Sequence, residues 1–447
     1  MKKILKIYLL PVLMVLTVSS CKKTFEDRAI NHNVPTSVPA SLLLNGVLNS
    51  MVDFPDGSSE IYDQYYIYNY NYYGDNTYDL GSGDNYYLTL KNVLLMEQQA
   101  VVAGSPAVNP YSAIGKFFRA YFFSKMSLEE GDIPMTQALQ GLANLKPVYD
   151  SQKAVMVQSL AWLESANADL ASLITTGSNT LTGDIFFGGD LTKWQKVVNA
   201  YRIRLLTELS KKTSETDLNV PAQFAAIIAN PAKYPLMASS DDNLQYTFVA
   251  PTNYYPQNPD NFGQNGSRQN SSQTYIKLLT SFKDPRVYVT AEPARYLVDT
   301  KKQSPTDFAS FVGADPGLDL GVMYNNAGLQ FYSFINRKRY YSTYTGEPSI
   351  QIGYPELMFN IAEGINRGWA PGNAETYYTA GIQASMAYYG IPVTGSFTAY
   401  FYRPGSSSTT NIANYDTYAI NTNWNTYYTQ SAVKYAGGAT GLTQILQ

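Results

Sequence analysis

Four apolar stripes at helical spacing set the tightest limit on what this chain can fold into. Ile114, Phe117, Phe118, Tyr121 and Phe122 fall at i, i+3, i+4, i+7 and i+8, one continuous helix face. Gly131 and Pro134 are positioned to stop that helix. Trp194, Val197, Val198, Tyr201 and Leu205 repeat the pattern, and Leu357, Met358, Ile361, Ala362 and Ile365 make a third stripe. Tyr378, Ile382, Met386 and Tyr389 make a fourth, closed by Gly390 and Pro392. The spacing predicts a mainly α fold, and helix pairs stacked in solenoid fashion would suit it, although no internal repeat is visible. Polar, aromatic-rich stretches at 250–273, 300–330 and 395–440 separate the stripes. They are too long for simple connectors and are expected to carry function or a few short strands.

Tyrosine is the second unusual feature, at 39 residues, with seven of them in the sixteen positions of IYDQYYIYNYNYYGDN (61–76). A buried tyrosine needs a partner for its hydroxyl, so it is a poor way to supply core mass. The reading taken here is a helix over 58–66 that gives way to an extended segment. In that segment Tyr66, Tyr68, Tyr70 and Tyr72 alternate with Ile67, Asn69 and Asn71. Period two then places the four rings on one face about 7 Å apart, as a half-exposed strip. Flat rings suit the C–H faces of sugars, and Asn, Asp and Gln suit their hydroxyls. Tyr73, Asn76, Tyr254, Tyr255, Tyr340 and Tyr341 are further candidates for closing such a ligand site. The competing reading makes the same surface an interface for a protein partner, because tyrosine is also an interface residue.

The N-terminus points to export. Lys2, Lys3 and Lys6 precede an apolar run, Ile7 to Val18, which is too short to span a bilayer but right for a secretory signal. It ends in Val18-Ser19-Ser20-Cys21, which resembles a bacterial lipobox. Cys21 is the only cysteine and the predicted lipidation site. This divides the chain into a signal peptide (1–20), a polar, proline-punctuated tether (21–40) and a folded domain (41–447). The formal charge of −3 becomes about −6 without the three leader lysines, which does not favour nucleic acid.

Catalysis is not expected. The single histidine, His32, lies in the tether, which excludes a Ser-His-Asp triad, a Cys-His pair and histidine-based metal sites within the fold. GSGD at 81–84 lacks the strand, lysine and spacing of a phosphate loop, and Asp75 to Asp84 breaks the calcium-loop pattern. Neither a metal nor a cofactor is predicted. A two-carboxylate glycosidase would need no histidine, but acidic pairs such as Asp241 and Asp242 carry no specific signal for one.

Six ordered segments then carry a resemblance. RAYFFSKMSLEEGDIPMTQAL (119–139) looks like the helix-to-GD-x-P turn of the SusD/RagB family. LTGDIFFGGDLTKWQKVVNAYRIRLL (181–206) resembles that family's aspartate-and-tryptophan helix entry. SDDNLQYTF (240–248), KDPRV (283–287), YPELMFNIAEGINRGW (354–369) and AETYYTAGIQASMAYYGI (374–391) follow in order. The resemblance implies a tetratricopeptide-like helical scaffold. It further implies a lipoprotein of the outer membrane, one that would capture a nutrient, most simply an oligosaccharide, and pass it to a SusC-like TonB-dependent transporter. A peptide-binding or adaptor role is the alternative. It assigns no ligand residue: Trp194 reads as a core anchor, Arg202 and Arg204 as solvated or ion-paired, and Glu363 as satisfying backbone donors or a neighbouring helix. Asp184, Asp190, Asp284 and Arg286 read as turn and cap residues. The end of the chain, 437–447, reads as a loop and a helix start capped by Thr440 or Thr443, and the resemblance implies continuation beyond Gln447.

Overall fold

The computed structural model describes residues 37–55, 58–70, 76, 83–178 and 180–447. The leader, Cys21 and the tether up to residue 36 lie outside these residues, as do Tyr72 and Tyr73. Helices of nine or more residues are α1 (Ala40–Asn49), α2 (Tyr87–Val102), α3 (Pro110–Glu130), α4 (Gln152–Thr176), α5 (Leu191–Glu208) and α6 (Val220–Ala229). They continue as α7 (Gln273–Ser281), α8 (Leu320–Gly328), α9 (Tyr354–Asn366), α10 (Ala374–Tyr388) and α11 (Gly438–Leu446).

All four predicted stripes lie on helices, except that Tyr389 falls one residue past the end of α10. α3 begins at a reciprocal cap: the Ser112 amide donates to Asn109 Oδ1 at 3.1 Å, and the Asn109 amide donates to Ser112 Oγ at 2.9 Å. Pro110 takes the first helical position, and Gly131, at φ 86°, ends the helix where it was expected to. α5 starts at Asp190, whose carboxylate accepts from the Thr192 amide at 2.8 Å. Asp184, six residues earlier, accepts from the Phe186 and Gly189 amides and from Trp194 Nε1, each at 2.9 Å. That carboxylate ties the entry turn to the buried indole. Trp194 is fully buried against Phe117, Phe118 and Phe187, at ring separations of 5.8, 6.0 and 5.4 Å.

Consecutive helices pack as pairs: α1 on α2, α3 on α4, α5 on α6, and α9 on α10. One large apolar core runs through α1–α6 and reaches α9. Among the described residues, three two-stranded antiparallel ribbons accompany this scaffold. β1 (Tyr66–Tyr68) pairs with β3 (Gln269–Ser271), and β2 (Leu244–Tyr246) pairs with β4 (Ser349–Ile352). β5 (Gly395–Tyr402) pairs with β6 (Tyr415–Thr422) over eight residues each. Only small apolar clusters support this outer half. One internal tie is a buried ion pair, in which Arg337 donates from Nη1 to Glu292 Oε2 at 2.7 Å and from its amide to Oε1 at 3.0 Å.

Several expectations need correction. The helix predicted over 58–66 ends at Tyr62, because Gln64 takes a left-handed φ of 59° that no helix continues through. Asn69 is buried rather than half-exposed, and its Nδ2 donates to the amide oxygen of Asn270 at 2.6 Å. Glu363 satisfies Arg367 one turn along its own helix, with 2.7 Å between Arg367 Nε and Glu363 Oε1, instead of backbone donors. Arg202 and Arg204 need no correction: of the two readings offered they are ion-paired, with Glu164 and Glu356 respectively. α11 begins at Gly438 with no side-chain cap, so Thr440 and Thr443 lie inside the helix, and Ile445 packs into the cluster beside α10.

The contact between α6 and α9 rests on Gly364. A Cβ there would sit 2.2 Å from the ring of Phe224, which is fully buried. Gly364→Ala gains up to about 1 kcal/mol of helix propensity but overpacks this contact by about 1–3 kcal/mol. Overpacking wins for a contact this close, so chemical denaturation should show a net loss of up to about 2 kcal/mol. A more stable variant would mean that the helices can separate.

Candidate functional site

A tyrosine-rich cavity lies where β1 and β3 meet the segment before β4 and the end of α10. It has a volume of about 290 Å³, and Tyr65, Tyr66, Tyr255, Tyr275, Tyr340 and Tyr389 contribute to its wall. Tyr65 stands at the mouth, 53% exposed, and meets Tyr275 edge-on at 5.4 Å. Burial raises the hydroxyl pKa of Tyr255, Tyr340 and Tyr389 well above the ordinary tyrosine value. These hydroxyls therefore stay protonated and serve as both donors and acceptors at any physiological pH.

Two carboxylates, Glu60 and Glu347, complete the polar part of the wall. Glu347 forms an ion pair with Arg339. The guanidinium of Arg339 lies 4.4 Å from the ring centre of Tyr389 and 5.3 Å from that of Tyr388. Burial pushes the Glu347 pKa up, and the charge of Arg339 works against that rise. Tyr388 fastens the same corner by donating its hydroxyl to the Pro348 carbonyl at 3.1 Å.

Gly346 makes room for this arrangement. It adopts φ 50°, and a Cβ there would overlap the Tyr255 ring at 2.2 Å. Two larger cavities adjoin. One, of about 490 Å³, shares Pro55, Glu60, Tyr255, Glu347 and Tyr389 with the first. The other, of about 510 Å³, shares Glu347 and Tyr389 and is lined beyond them by Lys338, Arg339 and Tyr400. Glu347 and Tyr389 thus form a wall common to all three.

The candidates named from sequence divide among several places. Tyr66, Tyr255 and Tyr340 meet in the tyrosine cavity, although Tyr66 is only 5% exposed. Tyr68 keeps the predicted alternation, with its ring 6.4 Å from that of Tyr66. The strand stops at Tyr68, however, and the face it shares with Tyr66 turns toward Ile61, Ile335 and Tyr341. Tyr70 packs elsewhere, 5.0 Å from Tyr324, with the Arg268 guanidinium 4.6 Å from its ring centre. Tyr254 leans on Tyr344 at 4.7 Å. Tyr341 is fully buried, and its hydroxyl donates to Gln269 Oε1 at 2.8 Å. Asn76 spends both ends of its amide on the Tyr68 main chain, each at 2.8 Å. Tyr72, Tyr73 and Cys21 lie outside the described residues.

Sequence reasoning missed Tyr65, Tyr275, Tyr389, Glu60, Glu347 and Arg339. Tyr65 stood in the quoted stretch, and Tyr389 was counted as the last member of a core stripe. Among the described residues, no group of three acidic, histidine or cysteine side chains is placed to hold a metal ion.

Fold and site together define a helical scaffold that presents a tyrosine-walled cavity on its loop side. The family model described as "starch-binding associating with outer membrane", SusD-like, matches residues 32–437, and the chain belongs to that family. Solved structures agree. A SusD homologue of Bacteroides fragilis is 30% identical with a TM-score of 0.71, covering 79% of this chain and 73% of that one. A second from the same species is 27% identical with a TM-score of 0.70, covering 92% and 83%. A Bacteroides vulgatus protein named for the outer membrane and nutrient binding is 32% identical with a TM-score of 0.68, covering 79% and 74%. No curated protein matches the chain. The expected family and its helical fold are therefore established, and with them the class: an outer-membrane-associated nutrient-binding protein.

The Arg339–Glu347 pair yields a test. The side chains are 16% and 22% exposed, so the cost of breaking a buried pair must be discounted. Arg339→Met should then cost about 2 kcal/mol at pH 7. A carboxylate whose pKa is raised on folding loses no stability while protonated and loses it as pH rises. The deficit should therefore shrink toward about pH 4, and adding Glu347→Gln should restore most of it. Denaturation at both pH values measures this. A pH-independent deficit would show that Arg339 acts through packing on Tyr389 alone.

Proposed function

We propose that this protein is a cell-surface lipoprotein, anchored through Cys21, that binds an oligosaccharide in the tyrosine-walled cavity and delivers it to a SusC-like TonB-dependent transporter. The observation that carries the ligand reading is the convergence of six tyrosines and two carboxylates, from positions 60 to 389, on one cavity. Rings of this kind offer stacking faces to sugars, and the protonated hydroxyls can donate to or accept from sugar hydroxyls. Each stacked ring contributes about 1 kcal/mol. Several together give weak binding, which suits a carrier that must release its cargo. With Glu347 held by Arg339, the wall reads as a recognition surface and no chemical step is assigned to it.

The variant to make is Tyr65→Ala, because this ring is the most exposed and least involved in the fold. Calorimetry against a panel of neutral oligosaccharides should show about a fivefold to tenfold loss of affinity, with a melting temperature within about 1 °C of wild type. Unchanged affinity for a glycan that wild type binds would remove the cavity from the proposal. Alanine at Tyr70, Tyr72 and Tyr73 serves as the contrasting variant. If that variant alone loses the glycan, binding lies on the Tyr70 surface. If it keeps the glycan but fails to co-purify with the barrel, that surface belongs to the transporter.

The anchor is tested separately. Cys21→Ala should abolish fatty-acid labelling and release the protein from the membrane fraction. Labelling as strong as wild type would refute lipidation at this residue, and protease treatment of whole cells reports which membrane face the domain occupies.

A further inference from the structure

A second cavity, of about 320 Å³, lies between the turn that follows α7, the end of α10 and the short helix Trp424–Tyr428. It shares no lining residue with the tyrosine cavity. Its interior is apolar, walled by Tyr288, Phe308, Met386, Val393, Ile420 and Tyr427. A dry apolar cavity of about 150 Å³ is enough to bind benzene, so this one has room for a ring with a short substituent.

Its mouth carries one cation, Lys283. This residue is exposed, and its ammonium has neither an ion pair nor a hydrogen bond among the described residues. The carboxylate next to it in sequence, Asp284, does not compete for it. Asp284 is 1% exposed and is held by Arg286, with 3.0 Å between Nε and Oδ1, and by the Tyr427 hydroxyl at 2.8 Å. A buried, fully engaged acid therefore lies beside an unengaged base at an apolar opening.

The backbone adds an independent observation. Lys283 ends α7 in the left-handed region, at φ 48°. The Lys283 amide donates to Thr280 O at 3.1 Å and the Asp284 amide to Leu279 O at 2.8 Å, the helix-ending pattern that favours glycine. A lysine in this conformation destabilises the fold relative to glycine, yet its side chain reaches the cavity rim.

We propose that this cavity is a second small-molecule site, taking an amphipathic monocarboxylate whose aromatic or branched aliphatic body fills the apolar pocket while its carboxylate meets Lys283. The probe is 3-phenylpropanoate, compared with its neutral amide, titrated into the full-length protein at pH 7 and followed by calorimetry and ligand-observed NMR. The acid should bind saturably at one site, and the amide about fivefold more weakly, the size of one exposed ion pair. Lys283→Gly should weaken the acid by the same factor while holding or raising the melting temperature, and should leave oligosaccharide affinity unchanged. Thr426→Trp, which fills the mouth from an exposed helix position, should abolish binding of both acid and amide. The proposal is overturned if wild type shows no saturable binding, if the amide binds as well as the acid, or if Lys283→Gly binds the acid undiminished. It is equally overturned if acid and oligosaccharide affinities fall together in that variant.

Discussion

The buried aromatic layer between α3 and α5 is the constraint on which the rest of the molecule depends. Phe117, Phe118 and Tyr121 face Trp194 and Tyr201 there, and the two polar rings that α5 contributes each find a partner. Trp194 donates to Asp184, and the Tyr201 hydroxyl lies 2.7 Å from Ser124 Oγ. From this layer one continuous path leads to the cavity. Arg204, on α5, pairs with Glu356 at the start of α9 and donates to the Gln351 carbonyl at 2.7 Å. Gln351 lies in β4, and Glu347 stands two residues before that strand. The cavity corner is thus braced against the buried aromatic layer of the scaffold.

The outer half is held differently. β3, Gln269–Ser271, is entirely polar and entirely buried, which is rare for a strand. The side chains of Gln269 and Asn270 find amide and hydroxyl partners, among them Asn69 on Asn270 and Tyr341 on Gln269. Asn336 works the same way, donating to the Tyr400 carbonyl at 3.1 Å and so tying the β5–β6 ribbon inward. Such networks specify one arrangement of the loops but contribute little net stability, in contrast to the apolar packing of the helix pairs.

That contrast explains what was legible in the sequence. Helix stripes are local and periodic, so α3, α5, α9 and α10 could be read directly, and the ordered segments sufficed for the family. The alternation of Tyr66 and Tyr68 was also legible. Its burial was not, because it depends on pairing with β3, some two hundred residues away, whose Gln-Asn-Ser sequence gives no apolar signal. The cavity was illegible for the same reason. Tyr65, Tyr275 and Tyr389 come from separate elements, and no spacing rule links them. Tyr389 shows the limit well: by period it extends a core stripe, yet it lies just past the end of α10 and faces a cavity.

Tyr389 and Glu347 stand in the walls of three adjoining chambers at once. A partition two side chains thick cannot serve its chambers independently. Any guest that turns the Tyr389 ring in one chamber redraws the boundary of the other two. Thermodynamic linkage then makes the influence mutual: whatever occupancy of the first does to the second, the second returns in equal free energy. A long chain threaded across the wall and a short one confined to a single chamber would therefore meet different receptors in the same protein.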